Sequence, residues 1–226
     1  MYSRFMPQRS VVLATNETYH VFNRSIAKAP LFSTKWHLNK AEEIVEFYMY
    51  PQVLRLSKLR TLPPDTKKEY IIAYRKREPL VEIYSFAFMP NHYHFLLKQL
   101  SDNGISRFIS NVQNSFAKFY NLKNDRNGAL FQNSFKAKRA ETEEQFLHIS
   151  RYIHLNPVTS YLIEFKDLAT YSYTSFPYYI NQGHSLIANT KVILDLVGSK
   201  ENYIQFVSDQ VEYQRELVLI KDLIIE

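Results

Sequence analysis

Two histidines stand one residue apart in Met89-Pro90-Asn91-His92-Tyr93-His94-Phe95-Leu96-Leu97. Side chains alternate between the two faces of a strand, so His92, His94 and Leu96 would share one face and Tyr93, Phe95 and Leu97 the other. The second set is the more apolar and is expected to face the core. The two imidazoles then project together from one rigid element. Neutral imidazole is a common ligand of divalent metals. Two ligands already fixed on one strand lose little freedom when a metal binds. Taken alone, a His-x-His pair is short, and a pair of hydrogen-bonded strand residues is the more ordinary explanation.

A second group lies in Arg151-Tyr152-Ile153-His154-Leu155-Asn156-Pro157-Val158. Tyr152 and Asn156 are four apart and therefore share one helical face. Phe146, Ile149 and Ile153 form the apolar stripe of that helix, with Tyr152 at its edge. Its ring can be partly packed while its hydroxyl stays free. An amphipathic helix with a boundary tyrosine and an Asn near its C-terminus accounts for the same pattern without chemistry. His148 and His154, on the same helix, are read as surface or hydrogen-bonded residues. His20, His37 and His184 belong to no motif.

The elements that must position these residues can be read in order. Residues 17–23, rich in Tyr, Val and Phe, predict a strand. Residues 40–60 begin as a helix that Pro51 interrupts. Residues 81–89 predict a buried strand, Pro90-Asn91 a turn, and residues 92–98 a second strand that makes a hairpin with the first. From 105 to 122, Ile105, Phe108, Ile109, Val112, Phe116, Phe119 and Tyr120 recur at helical spacing. A strand is expected within 129–141. Thr142 and Gln145 form a capping-box pattern that opens a helix, and Pro157 is expected to close it. The order strand, helix, hairpin, helix, strand, helix predicts an α+β fold with helices against an antiparallel sheet. Residues 171–185 read as an irregular surface segment and residues 199–225 as helical. The expected division is a domain over 1–165 and a C-terminal, mostly helical extension over 166–226, packed on the domain or following it. The apolar end, "VLIKDLII", needs a partner inside or outside the chain.

Composition bounds the possibilities. The 226 residues are 46% hydrophobic, enough for a packed core, and include 17 Tyr and 16 Phe. Aromatic side chains in such number serve a core and also serve stacking on bases. With 4 Gly and neither GxGxxG nor GxxxxGK[ST], a glycine-rich phosphate loop is not expected. The absence of Cys excludes disulfides and thiolate metal sites. The first ten residues lack the apolar run of a signal peptide, and no stretch is apolar for the roughly 18 residues a membrane span needs, so a cytoplasmic protein is expected. The net charge is +6 and the pI about 9.3, which leans towards a nucleic-acid partner.

"YHVFNR", "FMPNHYHFLL", "LFQNSFK" and "RYIHLNPV" occur in this order. Together they resemble the motifs of the REP-associated tyrosine transposases, a branch of the single-tyrosine HUH transposases, over about residues 15–180. The resemblance implies a ferredoxin-like sheet that carries the two histidines. It implies cleavage of single-stranded DNA by a helix-borne tyrosine that becomes linked to the 5′-phosphate. The matching residues are Tyr152 as nucleophile and His92, His94 and Asn156 as ligands of a divalent metal. It also implies a hairpin substrate with a short single-stranded flank.

Chemistry of this kind suits these residue types. A phosphodiester is a charged, poor electrophile, and a divalent cation can neutralise charge and align the attack. Oxygen ligands suit Mg²⁺ and imidazole suits Mn²⁺, so either is expected. A phenol with an ordinary pKa of about 10 is a weak nucleophile until a cation favours phenolate. The phosphotyrosine bond conserves energy, so a 3′-hydroxyl can reverse the step without ATP.

Arg24, Arg107, Lys118, Lys136, Lys138, Arg139 and Arg151 are the candidate DNA-binding cations, and Asp125 is the only acid between Asn103 and Ala140. The resemblance implies a prokaryotic, nucleoid-associated location, with a monomer expected and a homodimer as the alternative. The competing reading is a non-catalytic DNA- or RNA-binding protein on the same fold.

Overall fold

The computed structural model describes residues 11–180 and 185–216. The chain runs through strand β1 (Thr18–Arg24), helices α1 (Lys35–Tyr48), α2 (Leu56–Leu59) and α3 (Pro64–Arg75), strands β2 (Val81–Met89) and β3 (His92–Gln99), helix α4 (Gly104–Lys123), strand β4 (Lys136–Arg139) and helix α5 (Glu143–Thr159). Helices α6 (Phe176–Ile180), α7 (Lys191–Val197) and α8 (Lys200–Ser208) follow. The four strands form one sheet in the order β2-β3-β1-β4, and every pairing is antiparallel. That order, with helices between β1 and β2 and between β3 and β4, is ferredoxin-like, as the resemblance implied. Among the described residues no helix is long and apolar enough to cross a membrane.

One face of the sheet carries the main core. Tyr19 and Val21 of β1 and Tyr93, Phe95 and Leu97 of β3 are at most 1% exposed and pack with α1 and α4. These helices supply Leu38, Ile44 and Val45 and then Phe108, Ile109 and Phe116, at the spacing that one buried helical stripe requires. At the start of α4 the chain passes so close to β2 that a Cβ on Gly104 would lie 2.3 Å from the Leu80 carbonyl oxygen. Only glycine fits that approach.

The opposite face, onto which the two imidazoles project, is also covered. A second core covers it, built from Leu96 and Ala87 of the sheet, Ile153, Leu155 and Val158 of α5, and Phe176, Tyr179, Tyr203 and Val207 of the C-terminal helices. A bulge between Ile83 and Ser85 lets Tyr84 join this side, where its ring meets Phe146 edge-on.

Several expectations change in detail. The strand expected within 129–141 is only Lys136–Arg139, because Leu130, Phe131 and Phe135 are drawn into the α1/α4 core. Helix α5 does not stop at Pro157 but runs to Thr159 with the proline inside it. So near the C-terminus, one missing N–H is tolerated. Its N-terminus is capped by Thr142, whose hydroxyl accepts from Gln145 N, while the Gln145 side chain accepts from Glu141 N. Residues 171–185 are not a surface segment where they are described. They contain α6, and Thr174, Ser175, Phe176 and Tyr179 are all buried. The apolar end "VLIKDLII" lies outside the described residues.

Candidate active site

The strand pairing assembles the site. In β1 and β3, Phe22 stands opposite His94 and Arg24 opposite His92; across β4, Lys136 stands opposite Phe22 and Lys138 opposite His20. Directly opposed residues of an antiparallel pair project to the same face. His20, Phe22, Arg24, His92, His94, Lys136 and Lys138 therefore share one face, and it is the face that α5 crosses. Tyr152 reaches it from the helix. Its ring centroid lies 5.8 Å from that of His94 and 5.7 Å from that of His20, edge-on to both. The His92 and His94 centroids are 5.0 Å apart. Asn156, one turn beyond Tyr152, is buried and donates from Nδ2 to the Tyr152 carbonyl at 3.0 Å. The helix thus brings the tyrosine and the asparagine to the histidine pair within one chain.

The imidazoles have defined partners. His92 Nδ1 lies 2.6 Å from Asn91 Oδ1. That oxygen only accepts, so His92 carries its proton on Nδ1 and leaves Nε2 with a lone pair. His94 Nδ1 lies 2.8 Å from His20 Nε2, which leaves the far nitrogen of His94 pointing elsewhere. Burial pushes the His92 pKa down to about 4, with Arg24 adding to it. Burial, and then Lys138, does the same to His20, again to about 4. His94 is held well below the usual imidazole range by burial and then by its histidine neighbours and Arg24. At neutral pH all three rings are neutral, which is the state that binds metals.

Tyr152 remains 40% exposed, enough to meet a substrate. Burial raises its pKa, while the Asn156 side-chain amide beside the phenol and the Arg24 charge oppose that rise. Left to these groups the phenol is neutral at pH 7, and further positive charge is needed to draw it towards phenolate.

The candidate cations separate into distinct places. Arg24, Lys136 and Lys138 are exposed on the histidine face. Arg107 and Lys118 are exposed on α4, so the sheet stands between them and Tyr152. Arg139 has the opposite strand parity and pairs with Glu17 at 2.6 Å. Arg151 is 7% exposed and turned towards α8, where Nη1 donates to the Phe206 carbonyl at 3.1 Å and the guanidinium lies 4.1 Å from the Phe206 ring centroid. It holds α8 to α5.

His154 belongs to the same attachment. It is fully buried, with Nδ1 2.7 Å from the Tyr203 hydroxyl and Nε2 2.7 Å from Ser175 Oγ. The Tyr203 hydroxyl is also 3.1 Å from Ser150 Oγ. The C-terminal helices therefore grip the helix that carries Tyr152. Replacing Tyr203 by Phe removes the shared partner of two buried groups and is expected to cost about 1–3 kcal/mol, read as a lower denaturant midpoint at unchanged slope.

Residues 65–156 match the family model described as "Transposase IS200 like". This span contains His92, His94, Tyr152 and Asn156. The chain resembles the IS200-like transposases. A solved structure of a REP-associated tyrosine transposase bound to a REP hairpin superimposes with a TM-score of 0.52 at 15% identity, covering 82% of this chain and 93% of the other. That likeness is one of fold. No curated protein sequence matches.

His20 is the site residue that sequence reasoning passed over. Its signal was present in "YHVFNR", but using it requires knowing that β1 pairs with β3 and in which register.

Proposed function

We propose that the protein is a DNA transposase of the single-tyrosine HUH type, cleaving and rejoining single-stranded DNA beside REP-like hairpins. The observation that carries this reading is the placement of Tyr152, itself 40% exposed, over His94 and His20 of the same chain. The match to the IS200-like family and the fold shared with a hairpin-bound transposase support it.

A divalent cation fits the donor set. His92 presents an Nε2 lone pair, His94 has its Nδ1 occupied by His20, and Asn156 has its Nδ2 occupied by the Tyr152 carbonyl. Held ring nitrogens and an amide oxygen are common features of metal sites. No cluster of three or more His, Cys, Asp or Glu forms a metal cage among the described residues. The set instead leaves coordination positions for phosphate oxygens and water. His92, His94 and Asn156 would hold Mg²⁺ or Mn²⁺, which when bound neutralises charge on the scissile phosphate and aligns it for attack.

The chain's own residues do the rest. Tyr152 Oη attacks phosphorus, its proton leaving to solvent. The Tyr–O–P bond forms as the P–O3′ bond breaks, and the departing 3′ oxygen takes up a proton. Resealing is the reverse, by a 3′-hydroxyl on the phosphotyrosine, and needs no nucleotide. Asn156 donates to the Tyr152 carbonyl and fixes the helical turn. Arg24 places a charge beside Tyr152 and both histidines. Lys136 and Lys138 line the approach on β4 and hold the strand by its phosphates.

The catalytic groups are complete within one chain, which favours a monomer over a homodimer. A prokaryotic, cytoplasmic and nucleoid-associated setting goes with this substrate. Residues 1–165 carry the chemistry on this reading, and Ser175, Tyr203 and Phe206 of the 166–226 extension brace the tyrosine helix.

The test is a denaturing gel of the protein with labelled single-stranded hairpin DNA from beside its own gene, with Mn²⁺ or Mg²⁺. A covalent protein–DNA adduct is expected. A shift on a native gel with no adduct would instead support a non-catalytic DNA- or RNA-binding module. Neutralising Lys136 and Lys138 to Gln is expected to lower the slope of log affinity against log salt by about 1–2. The same change at Arg107 and Lys118 separates a contribution of the far face from that of the histidine face.

A further inference from the structure

We infer that His20, on β1, is a positioning residue for His94, fixing which nitrogen of that ring is offered to the cation. The inference rests on the metal-dependent reading above. Its basis is the 2.8 Å contact between His20 Nε2 and His94 Nδ1, in a place where both rings are almost wholly buried.

A hydrogen bond between two neutral imidazoles has one donor and one acceptor. If His94 Nδ1 donates to His20 Nε2, the lone pair of His94 is on Nε2. If His20 donates, His94 must carry its own proton on Nε2 and has nothing to offer a metal. Only the first arrangement makes His94 the counterpart of His92, whose Nδ1 donates to Asn91 Oδ1. The two ligand histidines are then held in the same manner by two different acceptors, an amide oxygen on the turn and an imidazole on the neighbouring strand.

Packing fixes the ring as well as the proton. His20 and His94 stack at 5.0 Å between centroids with 22° between planes. Phe22 stacks on His94 from the same strand at 5.5 Å and 24°. His94 is thus confined by two residues of β1, and its ring cannot turn without breaking the His20 contact. His20 also meets the Tyr152 ring edge-on at 5.7 Å, as His94 does at 5.8 Å, so the three rings pack against one another. Substitution at His20 is therefore expected to weaken metal binding, the usual consequence of removing the partner of a ligand histidine.

The experiment is titration of the full chain with Mn²⁺ alone, followed by calorimetry and Mn²⁺ spin resonance, for wild type, His20→Ala, His20→Gln and His94→Ala. His20→Ala is expected to weaken Mn²⁺ about 10–100-fold. His20→Gln, whose amide oxygen can accept at the place of Nε2, is expected to recover part of that loss. Wild-type affinity in His20→Ala together with loss in His94→Ala would overturn the inference and leave the metal site standing. Wild-type affinity in both would overturn the metal reading itself. Nitrogen-15 NMR of the imidazoles in the wild type, with and without Mg²⁺, needs no variant to fold. It is expected to show His94 protonated on Nδ1 in the Mg²⁺ form. A His94 protonated on Nε2 under both conditions would overturn the inference.

Discussion

Replacing Tyr152 by Phe is expected to abolish the covalent protein–DNA adduct and to lower strand cleavage by at least about 10³-fold, the scale on which removal of a nucleophile acts. The substitution takes away one oxygen atom. The ring that meets His20 and His94 edge-on is kept, and so is the Tyr152 carbonyl that Asn156 Nδ2 contacts. Stability and hairpin affinity are therefore expected to stay near those of wild type, affinity within about threefold, which places the loss in the chemical step. Tyr93 offers an internal control. It lies between the two histidines in sequence, yet it is 1% exposed and its hydroxyl accepts from Gln113 Nε2 at 2.7 Å on the α4 side of the sheet. It cannot reach a phosphate, and Tyr93→Phe is expected to leave the adduct intact. An adduct that survives Tyr152→Phe would move the nucleophile to another residue.

The residues legible in the sequence were those whose meaning depends on local periodicity. His92 and His94 share a face because a strand repeats every two residues, and Tyr152 and Asn156 do because a helix repeats nearly every four. Both statements survive folding because neither requires knowing what lies opposite. The sheet's element order was legible for the same reason, with β2 matching its expected bounds and β3 differing by a residue.

What the local pattern left unread was which particular side chains long-range pairing brings together. His20 became part of the site through the register Phe22 opposite His94. Lys138 and Arg139 are neighbours in sequence, but parity sends one towards the histidines and the other to Glu17 on the far side. The outward face of α4 could be read, yet not the side of the sheet on which α4 lies, and that alone separates Arg107 and Lys118 from Tyr152. Arg151 adjoins the proposed nucleophile in sequence, but the arrival of α8 buries it against Phe206. A surface reading of 171–185 missed α6 because a polar run such as Tyr173-Thr174-Ser175 can be buried when each group finds a partner. Ser175 Oγ is one such case, accepting from Phe86 N at 2.9 Å while it meets His154.

Replacing both His92 and His94 by Ala is expected to remove Mn²⁺ binding and to lower adduct formation by at least about 10²-fold with Tyr152 intact. The reason lies in the phenol. Burial raises the Tyr152 pKa, and the Asn156 side-chain amide beside the phenol and the Arg24 charge only moderate that rise. Arg24 is exposed, so its charge is screened by water and salt and is a weak substitute for a cation bound at the ring nitrogens. A chelator such as EDTA is expected to reproduce the defect in the wild type, and added Mn²⁺ to reverse it there but not in the double variant. The DNA contacts proposed for Lys136 and Lys138 lie on another strand, so native gel shifts are expected to persist in the variant. Cleavage by the double variant at the wild-type rate, insensitive to EDTA, would show that Tyr152 is activated by the protein alone. The charge doing so would then have to come from Arg24, the cation that acts on Tyr152 and on both histidines.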